Sequence, residues 1–457
     1  MEVTACTTTM VKPVYTTPHP LAGEKVPLTV FDRAAFNILV PIVLVYPAPA
    51  PPSNRALKEG LLRAVAAHPH LAGRLAVDDQ GRPFLHLNNE GVLVMEATML
   101  SGDDMEAVLL AGGVVANDHF SELYPPAPKE KIGAPVLHVK FNRYKCGGLI
   151  IGMICHHRVA DGHAFSTFLA KWATLVRAGH NDDDGDFIAP PPFLDRAATA
   201  VPRSPPAPVF DHRAVEFNAG DGHGSRSYAV VPADKVKNLT VTFTAEFVAE
   251  LKLKARGDGG GGAVRCSTFQ CLLAHVWKKV TAARGLSPEE FTQVKVAVNC
   301  RGRADPPLPA DLFGNMVLWA FPRLEVGELL RSSYGRVVAA IRDTVARVDA
   351  EYIQSFVDFG AAADASGEDL AAAAAAAATA AGTVLSPDLE VDSWLGFEFD
   401  RADFGTGPPR ALLAPDIPVD GLMVFVPSGA ARGGVDLFIG LVEGHVEEFR
   451  KICYSMD

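Results

Sequence analysis

GLIIGMIC, residues 148–155, runs directly into HHRVADGHAF, residues 156–165. The first stretch is a continuous apolar run, the pattern of a strand buried on both faces. The second opens on two histidines, passes Asp161 and Gly162, and enters a helical stripe of Phe165, Phe168, Leu169, Trp172 and Val176 that closes at Gly179. A polar cluster on the turn from a buried strand into a helix is where α/β proteins expose reactive groups. Gly162 lets the backbone turn sharply there.

Working outward, the α/β pattern repeats. Phe36 to Tyr46 reads as a strand ended by PAPAPPS (47–53), and Asn54 reads as the N-cap of a helix with Leu57, Leu61, Leu62 and Val65 on one face. Val136 to Phe141 alternates as a half-buried strand. From His180 to about Tyr228 the composition shifts to Asp182, Asp183, Asp184, the prolines at 190–192 and PRSPPAP (202–208). A long Pro-rich connection without a periodic apolar face reads as a crossover linker. It divides the chain into an N-terminal domain (1–180), a linker (181–228) and a C-terminal domain (229–457). In the last of these, Phe269, Leu272, Leu273, Val276, Trp277 and Val280 form a helical stripe, and Met316 to Phe321 and Leu422 to Val426 read as strands. Gly259 to Gly262 reads as a flexible tip and Ala371 to Ala378 as a helix filling an insertion, both without functional content.

Composition narrows the function classes. The chain has 457 residues, with 42 Lys plus Arg against 53 Asp plus Glu and a net charge of −11. That balance argues against a nucleic-acid binder. No apolar run reaches the roughly 18 residues that span a bilayer. The N-terminus MEVTACTTTM has neither a basic n-region nor an apolar h-region, so no secretory signal is expected. The seven cysteines are scattered without a CxxC pair, which fits reduced thiols in the cytoplasm and no zinc site.

His157 stands four residues before Asp161, one helical turn, so the two are candidates for a shared hydrogen-bonded frame. An imidazole with an ordinary pKa of about 6.5 accepts a proton near neutrality. By itself HxxxD is weak: a satisfied structural histidine fits the same residues, and His156, Asp161 and His163 also fit a metal set. No further Glu, Asp or His box elsewhere supports a metal.

The wider pattern decides among these. HxxxDG after a buried strand, with Asp403-Phe404-Gly405-Thr406-Gly407 about 240 residues downstream, resembles the plant BAHD family of acyl-CoA-dependent acyltransferases. Pro27 to Asp32 (PLTVFD), Pro69 to Leu75 (PHLAGRL), Val298 to Arg303 (VNCRGR), Phe313-Gly314-Asn315 and Val391-Asp392-Ser393-Trp394 resemble further landmarks of that family, in order along the whole chain. Thr406 departs from the family's DFGWG form, which puts any role for position 406 in doubt.

The resemblance implies an α/β fold of two chloramphenicol-acetyltransferase-like domains, with mixed sheets and a channel at their interface. His157 is then the catalytic base between an acyl-CoA co-substrate and the acceptor, with no acyl-enzyme, no metal and no bound cofactor. Asp161 is expected to turn from His157 and pair with Arg301, and Asp403, Gly162 and Gly405 to support the site structurally. Trp394 becomes a candidate oxyanion or acyl contact through its indole N–H, and Ser267, Thr268 and Lys254 become candidate CoA contacts. Asp392 stands where family members acting on alcohols commonly carry Thr; a carboxylate there favours a cationic acceptor. The expected reaction is N-acylation of agmatine, tryptamine, putrescine or tyramine by p-coumaroyl, feruloyl or related CoA, with benzoyl-CoA also open. The alternatives are O-acylation of shikimate, quinate or glycerol, and a non-catalytic binding relative. A cytoplasmic monomer is expected.

Overall fold

The computed structural model describes residues 3–15, 17, 19–49, 52–99, 114–116, 120–179, 192–217, 229–257, 266–370, 372, 383–413, 417–429 and 431–456. The apolar run forms the strand Leu149–His156, buried at every residue. Such a strand leaves no backbone group for water, so both of its edges must be paired. Leu137–Tyr144 takes one edge and Leu39–Tyr46 the other, each antiparallel. The full six-stranded order is Val3–Val11, Val92–Met99, Leu137–Tyr144, Leu149–His156, Leu39–Tyr46 and Ala411–Leu413. Val92–Met99 runs parallel to Leu137–Tyr144, so the sheet is mixed. The helices Asn54–Ala67 and Gly162–Ala178 bury their apolar faces with this sheet in one core.

A second, eight-stranded sheet runs Val317–Ala320, Phe291–Asn299, Leu389–Ser393, Leu422–Pro427, Val435–Val442, Val236–Phe243 and Val114–Ala116, with Arg323–Glu325 pairing Phe291–Asn299 off that path. It too is mixed, since Leu389–Ser393 is parallel to both of its neighbours. The helix Thr268–Arg284 packs into this second core with Trp277 fully buried.

The two halves exchange strands. Ala411–Leu413, late in the chain, pairs with Leu39–Tyr46 and completes the first sheet. Val114–Ala116, early in the chain, pairs with Val236–Phe243 at the edge of the second. Val30 and Phe31 likewise sit in the second core. The division at 180 and 229 therefore gives the order of the chain, while each sheet takes a strand from across it. The described part of the crossover is docked rather than loose: Arg196 is buried against Asp32, and His212 bonds Ser355 at 2.9 Å.

Three local expectations need correction. Ser53, not Asn54, is the N-cap; its hydroxyl accepts from the Ala56 N–H, while the Asn54 side chain bonds Glu96 and Arg143. The strand begins at Leu39 rather than Phe36, because Phe36 leaves the sheet to line a cavity. The strand read as half-buried over Val136 to Phe141 runs Leu137–Tyr144 and is buried at every residue but Arg143, because both of its edges and both of its faces are covered. Gly259 to Gly262 and, apart from residue 372, the alanine run lie outside the described residues.

Candidate active site

His157 is the first residue past the buried strand. Its N–H donates to the Ile38 carbonyl at 2.9 Å, and its own carbonyl accepts from Asn315 Nδ2 at 2.9 Å. The backbone of the turn is thus gripped from both halves of the molecule. The ring lines a cavity of about 490 Å³. Its Nδ1 is buried without a hydrogen-bond partner, which leaves Nε2 as the nitrogen open to the cavity. The Phe36 ring stands edge-on to the imidazole at 6.5 Å.

Asp161 does not orient that ring. It is the N-cap of the helix Gly162–Ala178, where Oδ1 accepts from the Ala164 N–H at 2.9 Å. The Arg301 guanidinium grips it bidentately at 2.8 and 3.1 Å, and the Met316 N–H donates to Oδ2 at 2.9 Å. A carboxylate offers about four acceptor positions; here all four are taken. Arg301 also donates to the carbonyls of Leu312 and Gly314 at 3.2 and 3.0 Å. Burial alone pushes the Asp161 pKa up, but Arg301 and the two backbone donors reverse this and hold it below the ordinary carboxylate value.

His156, Asp161 and His163 do not converge. The buried His156 ring accepts from the Arg158 N–H at 3.2 Å, and burial followed by the Arg158 charge pushes its pKa down to about 3. The His163 ring bonds the Ala310 carbonyl. Among the described residues no group of three His, Cys, Asp or Glu is placed to hold a metal. Gly162 is required by crowding: a Cβ there falls 2.5 Å from the Phe397 ring.

The cavity is walled by both sheets. Glu390 and Asp392 line it from the second sheet, two residues apart on the strand Leu389–Ser393 and hence on one face, with Val391 buried between them. Glu390 pairs with Lys295 at 3.3 Å. Burial pushes the Asp392 carboxyl up to about 7, the Glu390 charge adds to this, and Lys295 opposes it. Trp394 follows on the same strand's exit, its backbone N–H on the Phe425 carbonyl at 2.8 Å. Its ring stacks with Phe397 at 6.4 Å and meets Phe399 at 6.0 Å, giving the cavity an aromatic side.

The remaining candidates lie elsewhere. Ser267 caps the helix Thr268–Arg284 through a capping box with Gln270. Lys254 Nζ donates to the Met456 carbonyl at 2.8 Å. None of Ser267, Thr268 and Lys254 lines the cavity. Asp403 organises its own loop: Oδ1 accepts from the N–H groups of Gly405 and Gly407 at 2.8 and 2.9 Å, and both glycines have positive φ (115° and 98°) that a side chain disfavours. Phe404 is buried between Tyr46 and Trp172, whereas Thr406 is exposed. Replacing a tryptophan at 406 therefore empties no core position.

The sequence reading missed Phe36, Asn315, Lys295 and Trp319 as site residues. Asn315 had a signal, since it closes the Phe313-Gly314-Asn315 landmark. It bridges His157 to Asp32, whose Oδ1 it meets at 2.9 Å.

A family model described as "Transferase family" matches residues 1–456. Tryptamine benzoyltransferase 1 of Oryza sativa subsp. japonica is 58% identical, covering 100% of this chain and 98% of that protein. Tryptamine hydroxycinnamoyltransferase 2 of the same organism is 54% identical over 95% and 94%, and its agmatine hydroxycinnamoyltransferase 1 is 37% identical over 100% and 99%. Among solved structures, vinorine synthase superposes with a TM-score of 0.70 at 21% identity, over 98% of this chain and 96% of that one. F. graminearum TRI101 complexed with coenzyme A and deoxynivalenol gives 0.67 at 19% identity, over 93% and 96%. Both show the same two-unit α/β fold.

Proposed function

The chain belongs to the BAHD transferase family, and from that premise we propose that it moves an aromatic acyl group from coenzyme A to the amine of a small acceptor, with tryptamine as the favoured acceptor. Agmatine, putrescine and tyramine remain in the acceptor class, and relatives named for agmatine and putrescine match at lower identity. Both benzoyl and hydroxycinnamoyl donors follow from relatives above 50% identity. Acyl-CoA is a co-substrate rather than a resident cofactor.

The observation that carries this reading is one cavity, between two sheets, faced by an imidazole on one wall and by carboxylates on the other. In the reaction, His157 Nε2 takes a proton from the acceptor nitrogen as that nitrogen attacks the thioester carbonyl. The tetrahedral intermediate carries negative charge on the former carbonyl oxygen, for which the Trp394 indole N–H is our candidate donor. The C–S bond then breaks, and His157 returns the proton to the departing CoA thiolate. Asp161 and Arg301 hold the turn and take no proton, and Asp403, Gly405 and Gly162 act through structure alone. Asp392 receives the acceptor's ammonium, which gives one proton to solvent before it attacks, because an ammonium nitrogen has no lone pair; His157 then takes the second proton. We assign Ser267 and Thr268, at the start of a long helix, and Lys254 to the CoA phosphates. All seven cysteines are free thiols, which supports a cytoplasmic site of action, and we take the enzyme to be a monomer.

The test is a matrix of benzoyl-CoA and p-coumaroyl-CoA against tryptamine, agmatine, putrescine and tyramine, with shikimate, quinate and glycerol as alcohols. Amide formation that disappears in His157→Ala is expected. Esters without any amide would overturn the acceptor class, and turnover surviving in His157→Ala would overturn the mechanism.

A further inference from the structure

Glu390 and Asp392 open into the same cavity from the same face of one strand, yet they are not equivalent. Lys295 lies opposite Glu390 across the parallel pairing of Phe291–Asn299 with Leu389–Ser393. Its Nζ is 3.3 Å from Glu390 Oε2, with the two side chains only 14% and 15% exposed. The same ammonium sits 4.0 Å from the centre of the Trp319 ring and 4.7 Å from that of Phe36. Both rings line the cavity, whereas Lys295 itself does not. The lysine is thus a fixed internal cation with one carboxylate partner and two aromatic faces as its seat. Asp392 has no ion pair among the described residues. Two carboxyl groups and one ammonium leave one acidic group on this wall without a counter-ion, and it is Asp392.

We infer that Lys295 determines acceptor specificity: by occupying Glu390 it leaves one free carboxylate, and so selects amines with a single cationic centre and an aromatic tail over amines that are cationic at both ends. This rests on the amine-acceptor reading above. The physical reason is that a second cation entering this wall must lose water, finds Glu390 already paired, and meets the like charge of Lys295. An aromatic tail meets no such cost, because the Trp319 and Phe36 rings offer it flat apolar surface.

The test compares kcat/KM for agmatine and tryptamine in the wild type, Lys295→Met and the double variant Lys295→Met/Glu390→Gln. A charge-assisted hydrogen bond gained by the guanidinium should raise the agmatine-to-tryptamine ratio roughly tenfold or more in Lys295→Met, mainly through KM. The double variant should return the ratio to near the wild-type value, since the unmasked carboxylate is gone. Glu390→Gln alone keeps the lysine and frees it toward Asp392, so KM should rise for both amines. That variant provides a second arm should Lys295→Met melt far below the wild type. An unchanged ratio in Lys295→Met, a gain that survives in the double variant, or a gain of agmatine use in Glu390→Gln would each overturn the inference. A wild type that forms no amide from any amine would instead overturn the acceptor reading, and this inference with it.

Discussion

Asp161→Asn separates holding the turn from doing the chemistry. The substitution keeps the shape and keeps an N-cap, because Asn caps about as well as Asp. It removes the charge opposite Arg301, which is 3% exposed and cannot recover water. One carbonyl oxygen also replaces two, so the donors of Ala164, Met316 and Arg301 compete for it. Breaking a buried ion pair from one side costs about 3–5 kcal/mol. For units of this size each kcal/mol moves Tm by about 2–4 °C, so a fall of roughly 10 °C is expected. The pH dependence has a fixed sign. The folded pKa of Asp161 is lowered, so its contribution is present above the unfolded value and is lost as pH falls through the folded one. The Tm gap between wild type and variant should therefore narrow below about pH 4. Scanning calorimetry against pH, with kcat at a temperature where the variant is folded, reads both effects. The imidazole is untouched, so kcat should fall less than about tenfold. An unchanged Tm together with a kcat loss of about 10³ would refute this account and place the carboxylate in the proton path.

Other substitutions address the rest of the site. His157→Ala should lower kcat by about 10²–10⁴ while leaving the circular dichroism spectrum and Tm near the wild type, because the ring is only partly buried and its Nδ1 bonds nothing. Asp392→Asn should raise KM for tryptamine about tenfold and leave that of a neutral alcohol unmoved. In the wild type, KM for the amine should climb as pH falls through about 7, where the Asp392 carboxyl takes up its proton, and the Asn variant should lack that limb. Because this pKa is raised on folding, the stability it contributes is present in full only below about pH 4 and is lost as pH rises from there to about 7, so Asp392→Asn should melt higher than the wild type at pH 8 but not at pH 3. Gly162→Ala forces a Cβ to within 2.5 Å of the Phe397 ring and should cost about 1–3 kcal/mol, recovered in part by Gly162→Ala/Phe397→Ala. A Gly162→Ala protein with an unaltered denaturation midpoint would contradict the packing argument.

Much of the site was legible because its parts lie close in sequence. The buried strand, the turn at 156–161 and the following helix are one continuous stretch, and apolar pattern alone places His157 at a strand's end. The Asp161–Arg301 contact spans 140 residues and became an expectation only through family resemblance. The exchanged strands were illegible for a physical reason: at three residues each, Ala411–Leu413 and Val114–Ala116 are too short to show a period. The Lys295–Glu390 pair depends on the register of two parallel strands joined by a long excursion, and register leaves no local trace in sequence. Phe36 was read into the strand because an apolar side chain fits a strand and a cavity wall equally well.

The arrangement around His157 follows from what its ring lacks. In a Ser-His-Asp site a carboxylate orients the imidazole directly. Here the nearby carboxylate is saturated by Arg301 and two backbone donors, so the ring must take its position from the backbone that carries it. That backbone is fixed by the Ile38 carbonyl on one side and Asn315 on the other. Asn315 is in turn held by Asp32, which Arg196 binds at 3.2 Å, and Asp161 reaches the same segment through Met316. Asp32, Arg196, Asn315, Arg301 and Asp161 are all buried, and they join the N-terminal half, the crossover and the C-terminal half along one polar seam. Buried polar groups of this kind add little net stability, yet each is costly to leave unpaired. Relative displacement of the halves would strand several of them at once, so the seam fixes the width of the cavity. The distance between the base on one sheet and the carboxylates on the other is thereby set by the fold, before either substrate binds.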